Sequence, residues 1–103
     1  MKGSLEVGQL VCSKRGRDRG KFFLVAEVID DSFVYLVDGE KRRLENPKRK
    51  NIKHLEPFPV VAENLAALWK SGQQVGNHEV RRIIAALRQA HINKESENEG
   101  VDK

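Results

Sequence analysis

The chain has 103 residues, a net charge of +4 at pH 7, and a polar composition of 39% hydrophobic and 33% charged residues, which suits one small domain with a modest core. No apolar run approaches the roughly 20 residues that cross a bilayer, and the opening "MKGSLEVGQL" lacks the apolar stretch of a secretory signal, so a soluble cytoplasmic protein with no membrane contact is expected. Cys12 is alone, which excludes an internal disulfide, and His54, His78 and His91 are too scattered for zinc ligation, so no metal or cofactor is expected.

Taken in chain order, residues 5–12, "LEVGQLVC", read as a first strand, in which Cys12 is a small core hydrophobe rather than a nucleophile. "SKRGRDRGK" at 13–21 is a loop carrying two glycines. "KFFLVAEVI" at 21–29 is a longer strand: Phe22, Leu24, Ala26 and Val28 fall on one side, Phe23, Val25 and Ile29 on the other, with Glu27 at a solvated edge. Apolar residues on both faces predict a central or strongly curved strand. "DDS" at 30–32 is turn chemistry, so Asp30 and Asp31 read as turn formers rather than metal ligands. "FVYLV" at 33–37 is rich in β-formers. Asp38-Gly39 predicts a type I′ hairpin turn, with "EKRRLE" at 40–45 as the returning strand. "NPKRKN" at 46–51 reads as a loop, because Asn46 precedes proline. "IKHLEPF" at 52–58 reads as a short last strand ended by Pro57 and Pro59.

About five short strands joined by tight turns within 59 residues are the pattern of a small β-barrel. The pattern changes at residue 60. Val61, Leu65, Leu68 and Trp69 recur at helical spacing up to a stop at Gly72, and Trp69 is a core or docking residue. Asn77 is placed to N-cap a second helix whose stripe is Val80, Ile83, Ile84 and Leu87, with Arg81, Arg82 and Arg88 off it. Residues 60–92 are therefore expected to form a helical appendage to a barrel spanning 1–59. Residues 93–103 show no hydrophobic period and read as a disordered tail.

The positive charge is not spread evenly. Residues 1–59 hold 13 Lys/Arg against 9 Asp/Glu, whereas 60–103 hold 6 of each. The excess forms two clusters. Lys14, Arg15, Arg17, Arg19 and Lys21 surround Gly16, Asp18 and Gly20; Lys41, Arg42, Arg43, Lys48, Arg49, Lys50 and Lys53 surround Glu45. Two such clusters on a short module point to a polyanionic partner.

The stretch "VGQLVCSKRGRDRGKFFLVAEVIDDSFVYLVDG" resembles the KOW motif of large-subunit ribosomal proteins and transcription elongation factors. With "KRRLENPKRKNIKHLEP" after it, it is similar to the "fourteen e" type of large-subunit ribosomal protein, and the likeness runs from about Val7 to Pro57. Phe23, where the general motif often has glycine, favours that branch over the elongation factors. "VRRIIAAL" resembles the C-terminal helix of the family more loosely. The resemblance implies a mainly β fold, an SH3-like (KOW) barrel of about five strands followed by two C-terminal α-helices. It also implies no enzymatic activity, and RNA contact through the loop between the first two strands. Gly16 and Gly20 fall on the glycines of the motif, and Lys14, Arg17, Arg19 and Lys21 on its basic positions.

The chemistry agrees independently. Glycine lets a loop backbone approach phosphate closely, and arginine offers bidentate donors where lysine offers a point charge. The expected RNA-binding set is Lys14, Arg15, Gly16, Arg17, Arg19, Gly20, Lys21, Arg42, Arg43, Lys48, Arg49, Lys50, Lys53 and His54. If 40–45 is a strand, Arg42 and Arg43 point to opposite faces. "PKRK" is read as RNA contact rather than an import signal. Aromatic residues are few, so recognition is expected to rest on RNA shape and backbone, with rRNA of the large subunit and its proteins as partners. No Ser/His/Asp arrangement, P-loop or carboxylate pair is discernible, so neither catalysis nor a small-molecule substrate is expected. The alternative from another class is an SH3-like adaptor binding an acidic protein. The RNA reading requires both clusters on one rim and residues 14–21 outside any helix.

Overall fold

A computed structural model describes residues 5–72 and 75–101, with side chains described as far as Ile92. Five strands, β1 (Gln9–Ser13), β2 (Phe22–Val28), β3 (Phe33–Val37), β4 (Lys48–Asn51) and β5 (Leu55–Val61), form one antiparallel sheet in the order β4-β3-β2-β1-β5. A 3₁₀ turn at Ile52–His54 joins the two edge strands. The Ile52 amide donates to the Ser32 carbonyl and the Lys14 amide to the His54 carbonyl, both at 2.8 Å, so this turn ties the two ends of the curved sheet together. The result is a small SH3-like barrel. Two helices, α1 (Glu63–Lys70) and α2 (Asn77–Val101), follow.

The two-sided apolarity of β2 has the expected consequence. Phe23 and Val25 enter a cluster with Leu5, Val11, Val34, Leu36 and Leu55 inside the barrel. Leu24, on the opposite face, joins Leu10 and Val37 beneath Leu65 of α1 and Val80 and Ile84 of α2. Trp69 and Phe22 border this second cluster. The sheet is thus a septum between two cores, and the helices cover its outer face. Fully burying one such side chain stabilises the fold by about 1.5–3 kcal/mol, so the second core is a substantial share of a small domain's stability. A register shift between Val25 and Glu27 places Glu27 opposite Tyr35, and the chain from Glu27 through the end of β2 to Ile29 is exposed. Asp30 Oδ1 accepts from the amides of Ser32 and Phe33, which makes it the turn former expected.

Several local expectations are corrected. Residues 40–45 are not a strand; β3 pairs instead with Lys48–Asn51, the segment read as a loop. The Asp38-Gly39 turn is not type I′, because Gly39 has positive φ but Asp38, like every non-glycine among the described residues, does not. Asp38 Oδ1 accepts from the amides of Glu40 and Arg42, which coils the chain into a compact loop. Asn77 and Arg81 of α2 then hold that loop: Asn77 Oδ1 accepts from the Leu44 amide at 2.7 Å, and Arg81 donates to the Gly39 carbonyl at 2.7 Å. Asn77 is therefore a tether between elements rather than a cap of its own helix. Pro57 and Pro59 do not end the last strand, because β5 lies at the sheet edge, where a missing N–H leaves no ladder bond unmade. The backbone of α2 is helical to Val101; residues 102 and 103 lie outside the described residues. Residues 93–101 include three glutamates and Lys94, which are good helix formers.

Candidate nucleic-acid interface

The loop from Lys14 to Lys21 is a succession of turns. Ser13 closes its base: its amide donates to the Lys21 carbonyl at 2.9 Å, and its carbonyl accepts from the Gly20 amide at 2.8 Å. Gly16 and Gly20 hold φ of +84° and +86°, a region costly for residues with a Cβ, so the glycines are required by the shape of the loop itself. Lys14, Arg15, Arg17, Arg19 and Lys21 are all exposed, and none makes an ion pair among the described residues.

The loop is organised by its one acid. Asp18 has a side chain only 13% exposed, with Lys50 Nζ 3.2 Å from Oδ1 and Lys48 Nζ 3.2 Å from Oδ2. The Ser13 hydroxyl sits 3.0 Å from Oδ1 and 2.9 Å from the Arg15 carbonyl oxygen. Burial raises the Asp18 pKa, but Lys48, Ser13 and Lys50 outweigh it and hold the carboxyl at about 2. Lys50 also donates to the Arg15 carbonyl at 3.1 Å. This network joins the two basic clusters: strand β4 delivers Lys48 and Lys50 to the carboxylate of the first loop.

The network also divides the predicted residues by role. Lys50 is buried and committed to Asp18 and Arg15, so it shapes the loop instead of offering a charge to a partner. Lys48 is partly exposed and committed to the same carboxylate. Arg49, one residue between them, is sent to the other face by strand alternation and stacks 3.7 Å over the Phe33 ring, away from Asp18. Arg42 and Arg43 lie in the coiled loop, not on a strand. Arg42 is half-buried, whereas exposed Arg43 pairs with Glu45 at 3.4 Å, an ion pair worth little in water. Asn77 donates to Glu45, and that hydrogen bond holds the Glu45 carboxyl below its ordinary pKa. Lys53 is exposed and His54 half-buried at the foot of the first loop, beside Lys14.

A cleft of about 200 Å³ brings the clusters face to face: Arg17 and Lys21 on one side, Lys41, Arg42 and Lys48 on the other, with Asp18 at its base. The requirement for a shared rim is met at this cleft. Lys41 was not among the expected contact residues, and neither was the organising role of Asp18. A lone acid inside a run of five bases was the available signal for Asp18. Cys12 is half-buried on β1, and its thiol pKa is pushed up by burial and by Glu56 against an opposing effect of Arg88, which leaves it a poor nucleophile.

No protein-family model matches the chain. It is 41% identical over 61 residues to the large ribosomal subunit protein eL14 of Hyperthermus butylicus, covering 54% of this chain and 57% of that protein. To eL14 of Desulfurococcus amylolyticus it is 42% identical over 55 residues, covering 52% of this chain and 56% of the relative. To eL14 of Methanococcus maripaludis it is 39% identical over 54 residues, covering 52% and 64%. The chain thus spans somewhat more than half the length of the curated relatives it matches. The resemblance drawn from the basic loop and the "KHLEP" segment is borne out by these similarities.

Proposed function

We propose that this protein is a non-catalytic RNA-binding module that docks on rRNA of the large ribosomal subunit. The observation that carries the reading is the cleft where Arg17 and Lys21 meet Lys41, Arg42 and Lys48 across a loop tied to β4 through Asp18. Phosphates sit where exposed cations are pre-positioned, so the loop loses little conformational freedom on binding. The similarity to large ribosomal subunit proteins supports rRNA as the polyanion, and ribosomal proteins as neighbours of the exposed helical face. The contact set is the exposed group Lys14, Arg15, Arg17, Arg19, Lys21 and Lys53, with half-buried Arg42 and exposed Lys41 at the cleft; Lys48 and Lys50 act through the loop they hold. The barrel, which ends with β5 at Val61, is the binding unit, braced by the helices that follow.

The test is crosslinking of the protein to RNA in cells with sequencing of the recovered fragments, together with sedimentation against ribosomal subunits. Large-subunit rRNA fragments and salt-released cosedimentation are expected. If about six to eight cations meet phosphates, log K falls with log salt at a slope of roughly −5 to −7. Arg17→Ala with Arg19→Ala should lower that slope by about 2 without lowering the melting temperature. Cosedimentation that survives RNase would instead identify an acidic protein partner.

A further inference from the structure

Helix α2 carries three arginines outside its buried stripe. Val80 and Ile84 are buried against the sheet, whereas Arg81, Arg82 and Arg88 are exposed. Arg82 pairs with Glu79 on the surface. Arg81 and Arg88 line a second cleft, of about 360 Å³, between α2 and the barrel, where they face Lys21 and Lys41. Both guanidiniums are held in place. Arg81 donates to the Gly39 carbonyl, and Arg88 lies 4.2 Å over the Phe22 ring. A guanidinium has five donors, so one hydrogen bond or one stacked face leaves others directed at the cleft. Asp38 and Glu40 also border it, but Asp38 Oδ1 is already engaged by two backbone amides.

Lys21, Asp38 and Lys41 border both clefts, which makes the two continuous. A cationic track therefore leads from Arg17 through Lys21 and Lys41 to Arg81 and Arg88. We infer that α2 belongs to the nucleic-acid surface, and that the cleft between α2 and the barrel takes up the sugar–phosphate backbone of the same RNA. This rests on the RNA-binding reading of the barrel. The occupant is backbone rather than a nucleobase, because the aromatic ring in the cleft, Phe22, is covered by Arg88 and by the stacked Phe58 ring.

The experiment places a charge in the cleft without removing a contact. Ala85 is exposed and lines it; Ala86 is exposed and lies outside it. Binding of the full chain to deproteinised large-subunit rRNA is measured across a salt series for Ala85→Glu, its neutral counterpart Ala85→Gln, and Ala86→Glu. Ala85→Glu should weaken binding about tenfold near 0.1 M salt and flatten the salt slope by about 1 to 2, while the other two stay near wild type. Ala85→Lys should tighten binding by a similar factor, which keeps the test decisive if the glutamate variant folds poorly. Equal losses for Ala85→Glu and Ala86→Glu would overturn the inference in favour of bulk charge. Wild-type affinity for both Ala85→Glu and Ala85→Lys, with loss for Arg17→Ala/Arg19→Ala, would overturn it while leaving the barrel as the binding unit. Wild-type affinity for all of them would remove the RNA reading as well.

Discussion

Replacing Asp18 by Asn should destabilise the protein by about 2–3 kcal/mol at neutral pH. The folded carboxyl is held at about 2 against an ordinary 3.8. At about 1.4 kcal/mol per pKa unit, that difference alone is about 2 kcal/mol. Asparagine keeps an oxygen for the Ser13 hydroxyl but no charge for Lys50, whose side chain is only 9% exposed; an ammonium left so buried adds to the loss. Because the folded pKa is depressed, the stabilisation is complete above the unfolded value near 4 and fades as pH falls towards 2. Urea denaturation of both proteins across pH 2–7 measures it. The gap should be widest at pH 7, corresponding to roughly 10 °C in Tm, and should close by about pH 2, where wild-type Asp18 is losing its charge too. The remaining carboxylates titrate in both proteins and drop out of the difference. Equal stability at pH 7, or a gap that persists unchanged at pH 2, would refute the role assigned to the Asp18 network.

Gly39→Ala should cost about 3 kcal/mol or more in a thermal melt, because φ is +78° and the added Cβ would run into the Asn77 carbonyl oxygen and the Arg81 side chain. Gly20→Ala meets nothing within 4 Å and should cost only the left-handed backbone penalty of about 1–2 kcal/mol; equal losses at the two sites would contradict the packing of the 38–47 loop against α2. Asn77→Ala leaves the Leu44 amide without its acceptor and should lower urea stability by about 1–2 kcal/mol, with Asn77→Asp restoring most of it. Alkylation of Cys12 near pH 8 should be slower in the folded protein than in urea, since its thiol pKa is raised; a folded rate matching that of a free thiol would count against that burial.

The local pattern of the chain determined much of this protein. The central strand was legible in apolar residues on both faces of 22–28, the loop in Gly16 and Gly20 among its bases, and α2 in the stripe from Val80 to Leu87. Such features depend on neighbours within a turn or a strand, and the sequence displays those neighbours directly. The partner of β3 was not legible, because 40–45 and 48–51 are equally short and polar. The choice between them came from Asn77 and Arg81, more than thirty residues further along the chain, gripping the loop that begins at Asp38. The same holds for the lysines. Lys48, Arg49 and Lys50 look alike in a list of charges, but β4 sets Lys50 opposite Val34 and Lys48 opposite Leu36 at the inner end of the barrel, and Arg49 opposite Tyr35 on the outer face. Only tertiary structure could separate the cations that hold the loop from those that face solvent, because Asp18 and Lys50 lie 32 residues apart in sequence and 3.2 Å apart in space.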